Sequence, residues 1–284
     1  MAEISSADLS GRTCLVTGAS AGIGLAAAHG LARLGARVVM AVRNPEKGER
    51  ARRAVAGATG REVEVAVVDL GSRKSIGTFA RDLAARHPKL DVLVNNAGIW
   101  SRSREVSPDG VELVWATNVL GYFLVTELLL PQLRAAGKAR VVNVASQLAG
   151  GLDLTDVEFE RRAYFGRAVY AQSKQADRML TWALARRLSG TGVTANAMHP
   201  GLVATEIFGK GGGLVGLLAS IYSKICGRRP EEGADTVVWL AASPDVENRS
   251  GLYWTSRQER RCRFRDEAGE EALWALCRDM TRPA

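Results

Sequence analysis

Short, valine-rich apolar runs alternate with stretches of helical period along most of the chain. Residues 13–17, 37–41, 63–68, 90–95, 140–144 and 193–197 each read as a strand. The runs are nearly continuous rather than alternating, as expected of strands buried on both faces. Between the first two, residues 22–34 carry apolar positions at helical spacing and stop at Gly35, a residue suited to a helix C-terminus. Asn44 followed by Pro45 predicts the start of a second helix, with Asn as N-cap and Pro in the first turn. Repetition of strand and helix predicts an α/β fold: a single doubly wound Rossmann-type domain, its parallel sheet of about seven strands covered by helices on both faces. Residues 1–10 read as a tail and 11–284 as one domain.

One segment breaks the rhythm. Gly211, Gly212 and Gly213 precede an apolar stretch at 214–225, so 206–228 reads either as a substrate lid on a glycine hinge or as an ordinary connection. With 284 residues and 46% hydrophobic composition, the chain can bury a large core and global disorder is excluded. The net charge is +8, but the basic residues are dispersed. The densest group, Arg257, Arg260, Arg261, Arg263 and Arg265, is interleaved with acids and joins no nucleic-acid motif, so it reads as a solvated edge. Cys14, Cys226, Cys262 and Cys277 form no CxxC pair, and His29, His87 and His199 stand apart. Neither a disulfide framework nor a metal cluster is expected. Residues 1–13 lack the pattern of a signal peptide, and no uncharged apolar run reaches the roughly 18 residues of a membrane span. A soluble, cytoplasmic protein is expected.

Chemistry enters after the first strand. Thr17-Gly18-Ala19-Ser20-Ala21-Gly22-Ile23-Gly24 joins strand to helix. Gly18 permits a tight turn, while Gly22 and Gly24 allow close approach of backbone to a pyrophosphate, which the free N–H groups of the helix N-terminus would bind. The spacing TGxxxGIG resembles the short-chain dehydrogenase/reductase family. Asn95-Asn96-Ala97-Gly98, Asp69 at the end of the third strand, and His199-Pro200-Gly201 followed by Val203 and Thr205 extend the resemblance over residues 11–253. It implies a nicotinamide dinucleotide held by Gly18, Ser20, Gly22, Ile23, Gly24, Asp69, Leu70, Asn95, Ala97, Gly98, Pro200, Gly201, Val203 and Thr205. An NAD enzyme of this fold carries an acid about 20 residues past the glycines for the ribose hydroxyls. Here Ala41-Val42-Arg43-Asn44 has none. A guanidinium suits a 2′-phosphate, so Arg43 points to NADP(H) unless it is a plain surface charge.

Tyr170 and Lys174 lie four apart, on one face of a helix. A free tyrosine titrates near 10, and a neighbouring ammonium favours the phenolate. The pair alone is weak evidence. The family resemblance supplies its partners: Ser146 after the fifth strand and Asn118 in Thr117-Asn118-Val119 complete the ordered set Asn118, Ser146, Tyr170, Lys174. It implies that Tyr170 exchanges a proton with a carbonyl or alcohol oxygen, Ser146 orients that oxygen, and Asn118 anchors a water beside Lys174. Lys174 and Tyr170 would also touch the cofactor.

The long interval between Ser146 and Tyr170, together with Arg43-Asn44-Pro45-Glu46-Lys47-Gly48, Pro230-Glu231-Glu232-Gly233-Ala234 and Ser250-Gly251-Leu252-Tyr253, resembles the retinol dehydrogenase and WW-domain oxidoreductase branch. This implies reduction of an apolar aldehyde or ketone, and the family at large implies a homodimer or homotetramer, though nothing in the sequence fixes the assembly. Trp100 either lines the pocket or packs in the core. A cofactor-binding scaffold or redox sensor on the same fold is the competing reading.

Overall fold

The computed structural model describes residues 7–201 and 229–282. They build one eight-stranded sheet in the order β3-β2-β1-β4-β5-β6-β7-β8. The strands are β1 (Thr13–Thr17), β2 (Arg37–Val42), β3 (Val63–Val67), β4 (Val92–Asn95), β5 (Ala139–Val144), β6 (Val193–Met198), β7 (Tyr253–Thr255) and β8 (Gln258–Glu259). All neighbours pair in parallel except β7 with β8.

The six expected strands are present with small shifts at their ends. The fourth begins at Val92, just after Asp91, whose carboxylate accepts from the Thr13 N–H at 2.9 Å and from Arg12. Leu90 is nonetheless buried. The sheet gains one strand over the expected seven, and its last edge is antiparallel. β7 and β8 are too short to show a period, so only the tertiary setting defines them.

The helices are α1 (Gly22–Arg33), α2 (Pro45–Thr59), α3 (Arg73–Arg86), α4 (Leu113–Ala135), α5 (Gly166–Arg187), α6 (Pro230–Ala242) and α7 (Glu267–Thr281). Asn44 caps α2 by accepting from the Lys47 N–H at 2.8 Å, an interaction worth about 1 kcal/mol. Gly35, just past α1, has a φ of +96° that glycine adopts without strain. Alternate β1 residues serve opposite faces: Leu15 packs under α3, α4 and α5, whereas Cys14 and Val16 pack under α1, α2 and α6. The core therefore lies in two layers, one on each side of the sheet. Packing begins ahead of residue 11, since Leu9 is buried and its N–H donates to the Leu34 carbonyl at 2.8 Å.

α4 is the one described helix long and apolar enough to cross a membrane, but 72% of its apolar window is buried inside the protein. It is the central helix of its face. α7 docks on α5, with Glu270 and Glu271 paired to Arg186, Glu271 also to Arg187, and the Arg187 guanidinium 4.2 Å from the Trp274 ring. The segment 206–228, expected as a lid or connection, lies outside the described residues, as do Val203 and Thr205.

Candidate active site

The strand order reverses direction at β1, between β2 and β4, which opens a crevice beyond the strand ends. The glycine turn after β1 sits there. Gly18 has a φ of +67°, and a Cβ on it would lie 2.8 Å from the Ala97 backbone. A Cβ on Gly24 would lie 2.5 Å from the Gly18 carbonyl oxygen. Both positions therefore require glycine, and the turn is pressed against the 95–98 segment. Thr17 fastens them: its hydroxyl accepts from the N–H groups of Asn96 and Ala97 at 2.9 and 3.1 Å. The Asn96 amide donates back to the Thr17 carbonyl at 2.8 Å. Ser20, Gly22 and Ile23 are half-buried at the mouth of this turn.

Arg43 is exposed directly after β2. Asp69 follows β3 and accepts the Gly71 N–H at 2.9 Å. The Leu70 side chain is buried in the core, against the position a Gly121 Cβ would take. Only its backbone remains to meet a ligand. Asn95 likewise spends its side chain on the sheet, donating to Thr126 Oγ1 and Asn143 Oδ1 at 2.9 Å each. Pro200 and Gly201 are half-buried after β6, where Gly201 N–H donates to His199 Nδ1 at 3.1 Å.

The four chemical residues converge beyond β4 and β5. Asn118 lies in a single π turn, Ala116–Leu120, where Gly121 N–H reaches the Ala116 carbonyl. Such turns are wider than an α turn and often mark functional positions. Asn118 is fully buried, and Nδ2 donates to Ser173 Oγ, one residue before Lys174, at 3.1 Å. Lys174, 3% exposed, donates to the Val144 carbonyl at 3.1 Å, two residues ahead of Ser146. Its ammonium is 5.8 Å from the Tyr170 ring centroid. A Cβ on Gly98 would lie 3.6 Å from Asn118 Oδ1 and 3.8 Å from Lys174 Nζ, so the glycine brings these two groups to the crevice.

Ser146 Oγ accepts the Leu148 N–H at 3.1 Å, which leaves its hydroxyl proton to give. Arg178 and Tyr253 hold the Ser146 carbonyl from behind. The Arg178 guanidinium also rests 4.1 Å from the Tyr253 ring centroid, and burial pushes the Tyr253 phenol up to about 12. Trp100 is half-buried, its ring 5.5 Å from that of Tyr170, and the Ser101 carbonyl beside it leaves no room for a side chain at Gly166.

The 150–164 segment is ordered by its own charges. Asp156 receives the N–H groups of Glu160 and Arg162 at 2.8 and 3.0 Å. Tyr164 donates to the buried Glu112 at 2.9 Å, and Glu112 in turn accepts from Val114 and Trp115 at the head of α4. Burial pushes the Glu112 carboxyl above the usual range. This segment thus sets the start of the helix that carries Asn118. No cluster able to hold a metal exists among the described residues.

Sequence reasoning missed Thr17, Asp177 and Arg178. The last two were visible as charges on a helical face otherwise apolar or catalytic.

The profile of the short chain dehydrogenase family matches residues 12–211. The chain belongs to this family. Retinol dehydrogenase 13 of Homo sapiens is 36% identical over 95% of this chain and 85% of its own length. Retinol dehydrogenase 12 of Mus musculus is 39% identical over 93% and 84%, and polyprenol dehydrogenase of Mus musculus 38% over 93% and 82%. Among solved structures, an uncharacterised protein from Mycobacterium paratuberculosis superposes with a TM-score of 0.78, at 32% identity, over 97% of this chain and 95% of that one. A chain described as an NAD(P)-dependent gluconate 5-dehydrogenase from Beutenbergia cavernae, with NADP bound at low occupancy, gives 0.70 at 32% identity, over 87% and 95%. The retinol dehydrogenase-like branch is therefore the right neighbourhood, and the chain is an oxidoreductase of the family, acting between alcohols and carbonyls with a nicotinamide cofactor.

Proposed function

We propose that this short-chain dehydrogenase is NADP(H)-dependent and interconverts an apolar aldehyde or ketone with its alcohol, reduction being the favoured direction. The observation that carries the reading is the pairing of an intact Asn118, Ser146, Tyr170, Lys174 cluster with an exposed Arg43 where the crevice begins.

The glycine turn fits a dinucleotide because Gly18 and Gly24 let it fold tightly against the 95–98 segment, leaving the N-terminus of α1 open to a pyrophosphate. Gly18, Ser20, Gly22, Ile23 and Gly24 would face the pyrophosphate, Arg43 a 2′-phosphate, and Lys174 a ribose hydroxyl. When bound, the nicotinamide supplies or accepts the hydride. The chain's own residues manage the oxygen. Ser146, its Oγ already accepting from Leu148, donates to the carbonyl oxygen and fixes it beside Tyr170. Tyr170 gives that oxygen a proton during reduction and takes one from the alcohol during oxidation. Lys174 stands behind the phenol, its ammonium 5.8 Å from the Tyr170 ring centroid.

The apolar substrate class draws on the relatives, which are named for retinol and polyprenol, both greasy alcohols. Trp100 beside Tyr170 provides a flat apolar wall in keeping with it. The unpaired thiols of Cys14, Cys262 and Cys277 suit a reducing compartment such as the cytoplasm.

The test is a cofactor-consumption screen over aliphatic aldehydes, aromatic ketones, retinal, steroids and quinones with NADPH and with NADH. Turnover of an apolar carbonyl, with the higher kcat/KM for NADPH, is expected. A higher value with NADH removes the cofactor assignment. NADPH binding with every carbonyl inert replaces the enzyme by a cofactor-binding scaffold.

A further inference from the structure

Lys174 does not stand alone behind the phenol. Asp177, three residues further along α5, is 1% exposed, and its Oδ2 accepts from Lys174 Nζ at 2.8 Å. Desolvating a carboxylate costs several kcal/mol even after relaxation. A structural gain does not account for that cost, because both partners sit on the same helix and their bond ties no second element to it. An apolar pair would pack the same space as well or better.

The surroundings make Asp177 specific to Lys174. From α4, the Tyr122 ring centroid is 5.1 Å from the ammonium. From α5 itself come Tyr170 at 5.8 Å and Arg178, whose guanidinium is turned away to the Tyr253 ring and the Ser146 carbonyl. From α7 comes the buried thiol of Cys277, and from β5 only neutral groups, the Val144 carbonyl and the Asn143 amide. Asp177 is thus the one carboxylate acting on the Lys174 ammonium among the described residues. With Tyr122, Thr126 and Asn143 it also lines a cavity of about 20 Å³, space for a single water.

We propose that Asp177 is a positioning residue of the reaction, the fixed counter-charge that holds the Lys174 amine in place and offsets part of its field at Tyr170. Asp177 and the Val144 carbonyl each take one of the three ammonium hydrogens and so restrict the orientation of the amine. Burial works against the ammonium, yet Asp177 and the phenols of Tyr122 and Tyr170 outweigh it and hold Lys174 above its ordinary value. Burial likewise pushes the Asp177 carboxyl up, to about 6. The pair is ionic at neutral pH and is lost as Asp177 takes up a proton on the acid side.

The proposal rests on the oxidoreductase reading, so its experiment has two arms. In alcohol oxidation a proton is released, so kcat/KM rises with pH, and the position of that rise reads the charge around the reacting oxygen. Asp177→Asn leaves the ammonium field unopposed, and that rise is expected to move to lower pH, by about tenfold in proton concentration. Asp177→Glu, which keeps the charge, returns the profile toward that of the parent. Coincident profiles for the parent and Asp177→Asn overturn the proposal, whatever happens to kcat. The second arm needs no substrate. Infrared spectra of Lys174→Met at neutral pH are expected to show a protonated carboxylic acid band that vanishes in Lys174→Met/Asp177→Asn, and its absence overturns the ion pair. If no alcohol is oxidised, the functional reading fails and the infrared arm still decides the pair.

Discussion

The amide of Asn118 closes on the backbone of Ile99 from both sides. Oδ1 accepts the Ile99 N–H at 2.8 Å, and Nδ2 donates to the Ile99 carbonyl at 3.1 Å. One side chain thereby pins the segment after β4 to the π turn of α4, and Nδ2 carries the tie on to Ser173 beside Lys174. Asn118→Ala breaks all three bonds. A loss of about 1–3 kcal/mol in unfolding free energy is expected, together with lower kcat, because the Lys174 neighbourhood loosens. Urea unfolding and steady-state rates on the same preparation check it; unchanged values in both would show that the bracket is idle.

Tyr170→Phe keeps the ring beside Trp100 and removes only the hydroxyl. Turnover is expected to fall by about 10²–10⁴-fold while NADPH binding, followed by fluorescence titration, stays near that of the parent. Retained turnover would remove Tyr170 from proton transfer.

Arg43→Ala tests cofactor choice. A charge-assisted contact to a phosphate contributes about 1.5–3 kcal/mol, so KM for NADPH should rise about 10- to 100-fold with little change for NADH. Equal changes for the two cofactors would make Arg43 a plain surface charge.

The docking of α7 should weaken in acid. Hydrogen bonds from Arg187 and Arg186 hold the Glu271 carboxyl down to about 2, against an ordinary value of 4.5. A folded value below the unfolded one means that the stabilisation is complete above pH 4.5 and is lost as pH falls from there toward 2. Glu271 is 43% exposed, so screening keeps the effect below about 1 kcal/mol. Glu271→Gln should reduce the difference in melting temperature between pH 6 and pH 3, as read by circular dichroism; an unaltered difference would place the acid sensitivity elsewhere.

Local chemistry made much of this molecule legible from sequence. Val-rich runs gave the buried strands, Asn44-Pro45 gave the start of α2, and the glycines of the first turn gave the tight bend after β1. What stayed hidden depends on contacts far apart in the chain. The Thr17 hydroxyl looks like any strand residue until Asn96 and Ala97 are seen to donate to it. The charge of Asp177 is visible on its helix, but not that it is buried against Lys174. Leu70 and Asn95 stand within motif segments, yet their side chains serve the core and the sheet, which leaves their backbones to face the crevice. A motif fixes where the backbone goes, and neighbours decide what each side chain does there.

The reversal of strand order at β1 has a consequence for how this protein can change. The groups offered to the adenosine end, from Gly18 to Arg43 and Asp69, all precede β4, whereas Asn118, Ser146, Tyr170 and Lys174 all follow it. The adenosine end and the reacting centre are therefore written in separate stretches of the gene, stitched together by Thr17 and Asn96. Selection can retune one half without disturbing the other, provided that the stitch is kept.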